Sequence, residues 1–154
     1  MGYSALVTDY DIILATYNGA KYLPNQLNSI SNQTIKPKSV FISDDRSTDA
    51  TISIIKGRAS NQFFPVYILP ECDDRLGCCA NFERLLDQYN KHSKSPFVML
   101  SDQDDQWLDF KAEKLLMAIH DMISRYGSNI PLAVHSDLFI SDHNGNILSD
   151  SFIN

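Results

Sequence analysis

The amino-acid sequence predicts an α/β fold: an open, mostly parallel sheet flanked by helices and followed by a C-terminal hairpin. Short apolar runs begin near residues 12, 40, 66 and 97, and their separations are 28, 26 and 31 residues. A βα unit takes about thirty residues. Between these runs, apolar residues recur at helical spacing. Four successive βα units predict a sheet that is wound with right-handed crossovers.

The first βα unit begins with the apolar run at residues 12–15, which is typical of a strand covered on both faces. The turn signal at residues 16–19 ends this strand. Pro24 is early enough to be tolerated in the first turn of the following helix. That helix is predicted from apolar residues at helical spacing, which are Leu23, Leu27 and Ile30.

The second unit repeats the pattern, with a strand at residues 40–42. We expect Ser47 or Thr48 to cap its helix, and the Asp49 carboxylate suits the positive end of the helix dipole. The residues predicted to face inward from this helix are Ile52, Ile55 and Ala59.

The third unit has a strand at residues 66–69 and a helix that follows a loop containing Gly77. The predicted apolar stripe of this helix consists of Phe82, Leu85, Leu86 and Tyr89. The fourth unit has a strand at residues 97–100, which we expect to be buried, and a helix that begins near Leu108 and ends at Gly127.

Beyond the fourth helix, residues 132–135 form a candidate fifth strand. Residues 138–140 and 147–148 are separated by a turn containing Asn144 and Gly145. This arrangement predicts a β-hairpin.

Composition restricts the partners of the chain. The 154 residues carry a formal net charge of -6, which disfavours binding to nucleic acid or to anionic membranes. The three cysteines fit no zinc or CxxC spacing and predict free thiols in a reducing compartment. No signal peptide and no membrane-spanning run is recognisable. We therefore expect a cytoplasmic protein without a transmembrane segment, which could work as a peripheral protein at the inner face of the membrane.

Acidic residues follow two predicted strands. Asp44 and Asp45 follow the second, and Asp102, Asp104 and Asp105 follow the fourth. A solvated acidic face is the plain alternative for any one cluster, but recurrence at strand ends argues against it. Three carboxylates within four positions repel one another and favour a counter-cation. Mg²⁺ and Mn²⁺ prefer oxygen ligands and share them with substrate phosphates, which suggests a nucleoside diphosphate.

Other site types are excluded. The spacing of Gly and Glu in an EF-hand is absent, and neither GxxxxGK[ST] nor GxGxxG follows the first strand. Trp107 comes directly after the acids. We favour a role in burying the start of the following helix over a role in stacking on a sugar.

Four segments in this order resemble the inverting family 2 glycosyltransferases of the GT-A fold, and the bacterial rhamnosyltransferase-like members in particular. They are residues 11–19, 26–30, 42–49 and 101–107, and the resemblance runs from about Asp11 to Phe152. It implies a Rossmann-like nucleotide-diphospho-sugar transferase fold in a single nucleotide-sugar-binding domain over residues 1–154. Family members are usually longer, and the acceptor-binding half that they carry is not found here.

The resemblance also implies residue roles. Thr16 and Tyr17 match positions that line the base pocket, and Asp45 matches an acidic residue that contacts the nucleoside. Asp102 and Asp104 match the DXD motif, which holds the ribose and the divalent ion. The implied nucleotide-binding residues are Thr16, Tyr17, Asn18, Asp44, Asp45 and Asp102, and the implied ligands of Mg²⁺ or Mn²⁺ are Asp102, Asp104 and Asp105. Gly77 and Asn81 match residues that flank the pocket. No residue is assigned as the catalytic base.

Arg46 stands where such enzymes commonly have glycine. We therefore expect either a distorted turn or a relaxed φ requirement at this position.

Two main functions fit these observations. The first is an enzyme that transfers a sugar, with inversion, from a UDP- or dTDP-linked donor to a hydroxyl of a glycan or lipid-linked acceptor in bacterial cell-surface polysaccharide synthesis. The second is a nucleotide-sugar-binding module without turnover. A nucleotidyltransferase ranks below both, because residues 16–21 are too poor in glycine. A surface left open by a missing half could also drive self-association.

Overall fold

The structure is a computed structural model that describes residues 7–59, 64–142 and 145–153. The chain divides into two compact units, Met1–Ala112 and Glu113–Asn154. The predicted α/β class with a mostly parallel sheet and a C-terminal hairpin is confirmed.

The first unit contains a parallel sheet of four strands in the order β3-β2-β1-β4. The strands are β1 (Tyr10–Thr16), β2 (Ser39–Asp44), β3 (Val66–Ile68) and β4 (Phe97–Asp102). Three helices lie between them in sequence, which are α1 (Leu23–Ser31), α2 (Thr51–Ala59) and α3 (Cys78–His92). The first three predicted βα units and the strand of the fourth are therefore present.

Strand β1 lies inside the sheet, and all seven of its residues are buried. Burial on both faces explains why its sequence is apolar without alternation. The registers place Thr16 of β1 opposite Asp44 of β2, and Ala15 of β1 opposite Asp102 of β4. The carboxyl ends of these three strands therefore lie side by side.

Strand β4 differs from the prediction. It pairs only with β1 in this sheet and is an edge strand, and Leu100 is 54% exposed. The expectation that the whole apolar run at residues 97–100 is buried is wrong, because an edge strand need not be covered on both faces. The strand also extends to Asp102, so the first acid of the motif belongs to the strand itself.

Helix α2 is capped differently from the prediction. The Asp49 carboxylate accepts a hydrogen bond of 2.9 Å from the backbone N–H of Thr51. Ser47 and Thr48 lie too early in the chain for this role, and they bind the neighbouring loop instead. Of the residues predicted to face inward, Ile55 is fully buried, whereas Ile52 and Ala59 are only partly buried.

Helix α3 packs on β1 and β2 through Leu85, which forms a buried cluster with Ile13, Ala15 and Phe41. Phe82 and Tyr89 pack against this cluster as predicted. Leu86 is 36% exposed, so its assignment to the stripe is wrong. One residue beyond Leu85, it lies about 100° further around the helix and points away from the cluster.

Helix α4 (Lys111–Tyr126) begins at the end of the first unit. The helix starts three residues after Leu108. The prediction that it begins near Leu108 is therefore early by three residues, and Leu108 is exposed outside the helix. Gly127 ends the helix with a φ of 81°, and its N–H donates to the carbonyl of Ile123 at 2.8 Å. This confirms the predicted C-terminal glycine.

In the second unit, residues 132–135 do not form the predicted fifth strand. An apolar run becomes a strand only when another strand takes its backbone groups, and no described strand pairs with this run. The hairpin is confirmed as β5 (Ile140–Ser141) and β6 (Ile147–Ser149), which pair antiparallel. Gly145 of its turn has a φ of 84°, and Asn144 lies outside the described residues. No described helix is long and apolar enough to cross a membrane.

Candidate functional site

The site predicted from the sequence lies where the carboxyl ends of β1, β2 and β4 meet. The strand registers bring Thr16, Asp44 and Asp102 to this edge of the sheet. In an open α/β sheet, ligands bind in the crevice outside the carboxyl ends of the strands. Tyr17 and Asp45 follow directly, so the structure brings the predicted residues of the first two strand ends together with the first acid of the fourth.

Asp44 links β1 to the turn after β2 through hydrogen bonds. Its carboxylate accepts hydrogen bonds from the Thr16 hydroxyl at 2.8 Å, from the Ser47 N–H at 2.7 Å and from the Ser47 hydroxyl at 2.6 Å. These bonds satisfy a carboxylate that is only 7% exposed. Thr16 and Asp44 therefore hold the strand ends in register.

Arg46 keeps the left-handed backbone that glycine commonly supplies in this turn. Its φ is 63°, so the φ requirement is not relaxed by the substitution. The Arg46 guanidinium donates to the backbone carbonyl of Asp73. This hydrogen bond joins the turn to the loop before α3 and offsets part of the conformational cost.

Asn18 joins the loop after β1 to the loop after β2. Its φ is 47°, its N–H donates to the Ser47 hydroxyl at 2.8 Å, and its side-chain oxygen accepts from the Thr48 N–H at 2.8 Å. Next to it, the Gly19 N–H donates to the Thr51 hydroxyl at 2.8 Å. Two segments about thirty residues apart in the sequence are thereby fixed to each other.

Asp45 holds the loop that precedes α3. Its carboxylate accepts from the N–H of Leu76 at 2.6 Å and from the N–H of Gly77 at 2.8 Å. The Nε of Arg75 lies 3.5 Å from the same carboxylate. Asp45 is 3% exposed, so a single buried acid organises three consecutive residues of the loop.

Tyr17 and Arg75 stack on each other beside Asp45. The Arg75 guanidinium carbon lies 3.6 Å from the centroid of the Tyr17 ring, which is a cation–π geometry. Sequence reasoning did not identify Arg75, because nothing in the apolar periodicity marks it. The only available signal was a basic residue directly after the acidic Asp73 and Asp74.

The acids that follow β4 influence one another's protonation. Burial raises the pKa of Asp102, and the charges of Asp105 and Asp104 raise it further. Burial also raises the pKa of Asp105, whereas the nearby Lys111 ammonium opposes that increase. Burial lowers the pKa of Lys111, and Asp105 opposes that decrease. Negative charge is therefore costly on Asp102 and on Asp105, and the charge of Asp104 adds to that cost at both groups.

These acids could supply some of the oxygen ligands that a divalent cation needs. Among the described residues, no group of three or more His, Cys, Asp or Glu side chains is gathered as a complete metal site. Mg²⁺ is usually held by one or two carboxylates together with substrate phosphates and water. The mutual repulsion of Asp102, Asp104 and Asp105 fits such a cation, because its charge would offset that repulsion.

Trp107 is buried beneath the acidic motif. It is 3% exposed, and its backbone N–H donates to the Ser29 hydroxyl of α1 at 3.0 Å. In the amide orientation that satisfies both ends of Gln26, the Gln26 oxygen accepts from the Trp107 indole N–H at 3.2 Å. These contacts bury Trp107 against α1, and they anchor the motif on that helix.

Gly77 and Asn81 lie at the start of α3. Gly77 has a φ of 80° and is the residue that precedes the helix. The Asn81 amide nitrogen donates to the carbonyl of Ser43 in β2 at 3.0 Å. Its side-chain oxygen is buried without a hydrogen-bond partner among the residues that the structure describes. Both residues therefore lie next to the carboxyl end of β2.

Comparison with known proteins supports the resemblance. The family model described as Glycosyl transferase family 2 matches residues 11–128. The dTDP-rhamnosyl transferase RfbG of Shigella flexneri is 33% identical over 118 residues, which are 76% of this chain and 40% of the relative. The chain thus spans about two fifths of the length of this curated relative.

Two solved structures share the fold. S. aureus TarS 1-349 in complex with UDP-GlcNAc has a TM-score of 0.59 at 23% identity, and the match covers 80% of this chain and 37% of the TarS 1-349 chain. The mannosyltransferase PcManGT from Pyrobaculum calidifontis, in complex with GDP-Man and Mn²⁺, has a TM-score of 0.57 at 24% identity. That match covers 71% of this chain and 31% of PcManGT.

Proposed function

The chain belongs to glycosyl transferase family 2, and we propose that it binds a nucleoside-diphosphate sugar with a divalent cation for transfer of the sugar to an acceptor hydroxyl. In this proposal the reaction inverts the configuration at the anomeric carbon. The residues involved are those predicted from the sequence, with Tyr17 and Asp45 on the nucleoside side and Asp102, Asp104 and Asp105 on the diphosphate side.

One observation carries this proposal. The half-buried Tyr17, the buried Asp45 and the acidic end of β4 follow or end neighbouring strands at a single edge of the sheet. A nucleoside diphosphate has an aromatic base at one end and a double negative charge at the other. A stacking ring beside a cation-binding acidic cluster matches both ends of such a ligand.

The residues that would hold the cation are Asp102, Asp104 and Asp105. A bound Mg²⁺ or Mn²⁺ would neutralise the charge that develops on the nucleoside diphosphate and so favour its departure from the anomeric carbon. The Mn²⁺ complex of PcManGT, which shares this fold, supports the choice of cation. Thr16, Asn18 and Asp44 contribute indirectly, because their hydrogen bonds fix the loops that carry Tyr17 and Asp45.

Inversion requires the acceptor oxygen to attack the anomeric carbon on the face opposite the diphosphate, while a base removes the proton of the acceptor hydroxyl. We assign no described residue to this base. In the proposal, residues 1–154 act as the nucleotide-sugar-binding domain, and acceptor recognition belongs to the part of the family's length that they do not cover.

The donor that we propose is a UDP- or dTDP-linked sugar, which the similarity to the dTDP-rhamnosyl transferase RfbG supports. The acceptor class is a glycan or a lipid-linked glycan of a bacterial cell-surface polysaccharide. A cytoplasmic location, at the inner face of the membrane when the acceptor is lipid-linked, completes the proposal.

A second candidate is a nucleotide-sugar-binding module without turnover. The observation that favours it is the use of the acids around β2 in the fold itself. Asp44 and Asp45 are both committed to hydrogen bonds within the chain. The acids after β4 are needed for the cation, so none of the five acidic residues predicted for the site is left for assignment as the base.

Turnover separates the two candidates. UDP-glucose, UDP-GlcNAc and dTDP-rhamnose would each be incubated with the protein and Mn²⁺, and release of UDP or dTDP would be followed by chromatography. Asp104→Asn serves as the control variant. Release that requires both Mn²⁺ and Asp104 supports the enzyme, whereas Mn²⁺-dependent binding without release supports the module.

A further inference from the structure

Gln103, the residue between Asp102 and Asp104, forms a pair of hydrogen bonds with the backbone of Tyr17. Its side-chain oxygen accepts from the Tyr17 N–H at 2.7 Å, and its side-chain nitrogen donates to the Tyr17 carbonyl at 2.8 Å. Both ends of the amide are therefore used on one residue that is 86 positions away in the sequence. This contact joins the end of β1 to the end of β4.

The same side chain explains why residue 19 is glycine. A Cβ atom at Gly19 would lie 2.2 Å from Oε1 of Gln103 and 2.5 Å from its Cδ. Such distances are far below van der Waals contact, so any other residue at this position would displace the Gln103 amide. At Gly57 in α2, by contrast, an added Cβ would meet nothing within 4 Å. A Cβ atom at residue 19 therefore fits only if the Gln103 side chain moves away from its present position.

Gln103 connects the two halves of the proposed donor site. On one side, Tyr17 stacks with Arg75 at 3.6 Å, and Arg75 lies 3.5 Å from Asp45. On the other side, Gln103 is bonded directly to Asp102 and Asp104 in the chain. The backbone of Tyr17 therefore cannot shift relative to the acidic motif without breaking two hydrogen bonds.

We propose that Gln103 is a positioning residue that sets the distance between the nucleoside end and the diphosphate end of the donor site. The inference rests on the proposed function and deepens it. Only a planar amide offers one donor and one acceptor that match a backbone N–H and C=O together. Glutamate could accept from the Tyr17 N–H but not donate to the carbonyl, and methionine could do neither.

The experiment compares the affinities of the protein for two kinds of ligand that differ in length. Binding of UDP and dTDP with Mn²⁺, which span both ends of the site, is compared with binding of uridine and thymidine, which reach only one. We expect Gln103→Met to weaken diphosphate binding by about tenfold, which corresponds to the loss of two ordinary hydrogen bonds. Nucleoside binding should fall by much less.

Gly19→Ala tests the same contact from the other side. It should reproduce the loss seen in Gln103→Met, whereas the matched Gly57→Ala should bind like the wild type. In a Gln103→Ala background the shortened side chain leaves room for the added Cβ. Gly19→Ala should therefore cause no further loss of diphosphate affinity in that background. This non-additivity is expected only if the two residues act through one contact.

Two outcomes would overturn the inference. One is diphosphate binding by Gln103→Met at wild-type affinity. The other is an equal loss for nucleosides and diphosphates, which would indicate a general weakening of the fold. If the wild type itself shows no Mn²⁺-dependent binding of UDP or dTDP, the proposed function fails first, and the role of Gln103 fails with it.

Discussion

The Asp45 carboxylate accepts a 2.8 Å hydrogen bond from the backbone N–H of Gly77, which lies 32 residues further along the chain. With the bonds from Leu76 and Arg75, this contact makes the loop before α3 depend on one buried acid. The loop carries Arg75 onto the ring of Tyr17. The shape of the nucleoside end of the site therefore depends on Asp45 even before any ligand is considered.

Replacing Asp45 with asparagine should destabilise the protein. One of the two backbone N–H donors would then face an amide NH₂ group and lose its acceptor, at a cost of about 1–3 kcal/mol. Urea unfolding measures this change. Asp74→Asn, at an exposed position of the same loop, is the matched control and should change the free energy of unfolding by less than about 0.5 kcal/mol. Equal stabilities of the two variants would contradict the role of Asp45.

The left-handed backbone of Arg46 predicts an unusual order of stabilities. With a φ of 63°, residue 46 should be more stable as glycine than as alanine by about 1 kcal/mol, because alanine retains the steric cost of this conformation. At the exposed, helical Lys56, the alanine variant should instead be more stable than the glycine variant by about 1 kcal/mol. Thermal and urea unfolding of the four variants tests both signs. A higher free energy of unfolding for the alanine variant than for the glycine variant at residue 46 would show that the turn is not strained.

Asp104 should be needed for binding and dispensable for folding. It is exposed, so Asp104→Ala should change the free energy of unfolding by less than about 0.5 kcal/mol. The same variant should lose Mn²⁺-dependent affinity for UDP and dTDP. Asp87→Ala, at an exposed position of α3, should keep that affinity. Retained affinity in Asp104→Ala would remove this residue from the site.

The raised pKa of Asp105 predicts a pH dependence of stability with a definite sign. Burial is the main cause, and the charge of Asp104 adds to it while Lys111 opposes it. Since the folded protein binds this proton up to a higher pH than the unfolded chain does, the charged form costs stability above the raised pKa. This cost disappears as the pH falls toward the pKa of the unfolded chain.

The test compares the wild type with Asp105→Asn by urea unfolding at a series of pH values. The stability of the wild type relative to the variant should increase as the pH is lowered through the interval between the ordinary carboxyl pKa and the raised one. Removing the opposing charge with Lys111→Met should move this interval to higher pH. A difference that stays constant with pH would contradict the assigned cause.

Much of the fold follows from the sequence because burial on both faces leaves a readable pattern. The continuous apolar run at residues 12–15 identifies β1, and the rhythm of about thirty residues identifies the parallel sheet. Parallel strands align their carboxyl ends. The meeting of Thr16, Asp44 and Asp102 at one edge could therefore be predicted from the sequence.

Other features depend on contacts between distant residues and leave no local pattern. Helical spacing assigns Leu86 to the stripe of α3, and an apolar run assigns Leu100 to a buried strand, but both side chains are exposed. Neither periodicity nor composition shows which strand is at the edge. The contacts of Gln103 with Tyr17 and of Arg75 with the same residue arise only when the loops fold against each other.

The most direct test of the central claim is a calorimetric titration of the wild-type chain with UDP and with dTDP, each with and without Mn²⁺. At least one nucleotide should bind, and Mn²⁺ should strengthen its binding, because the cation would offset the repulsion between the carboxyl groups of Asp102 and Asp105. The absence of any Mn²⁺-dependent heat with either nucleotide would contradict the account.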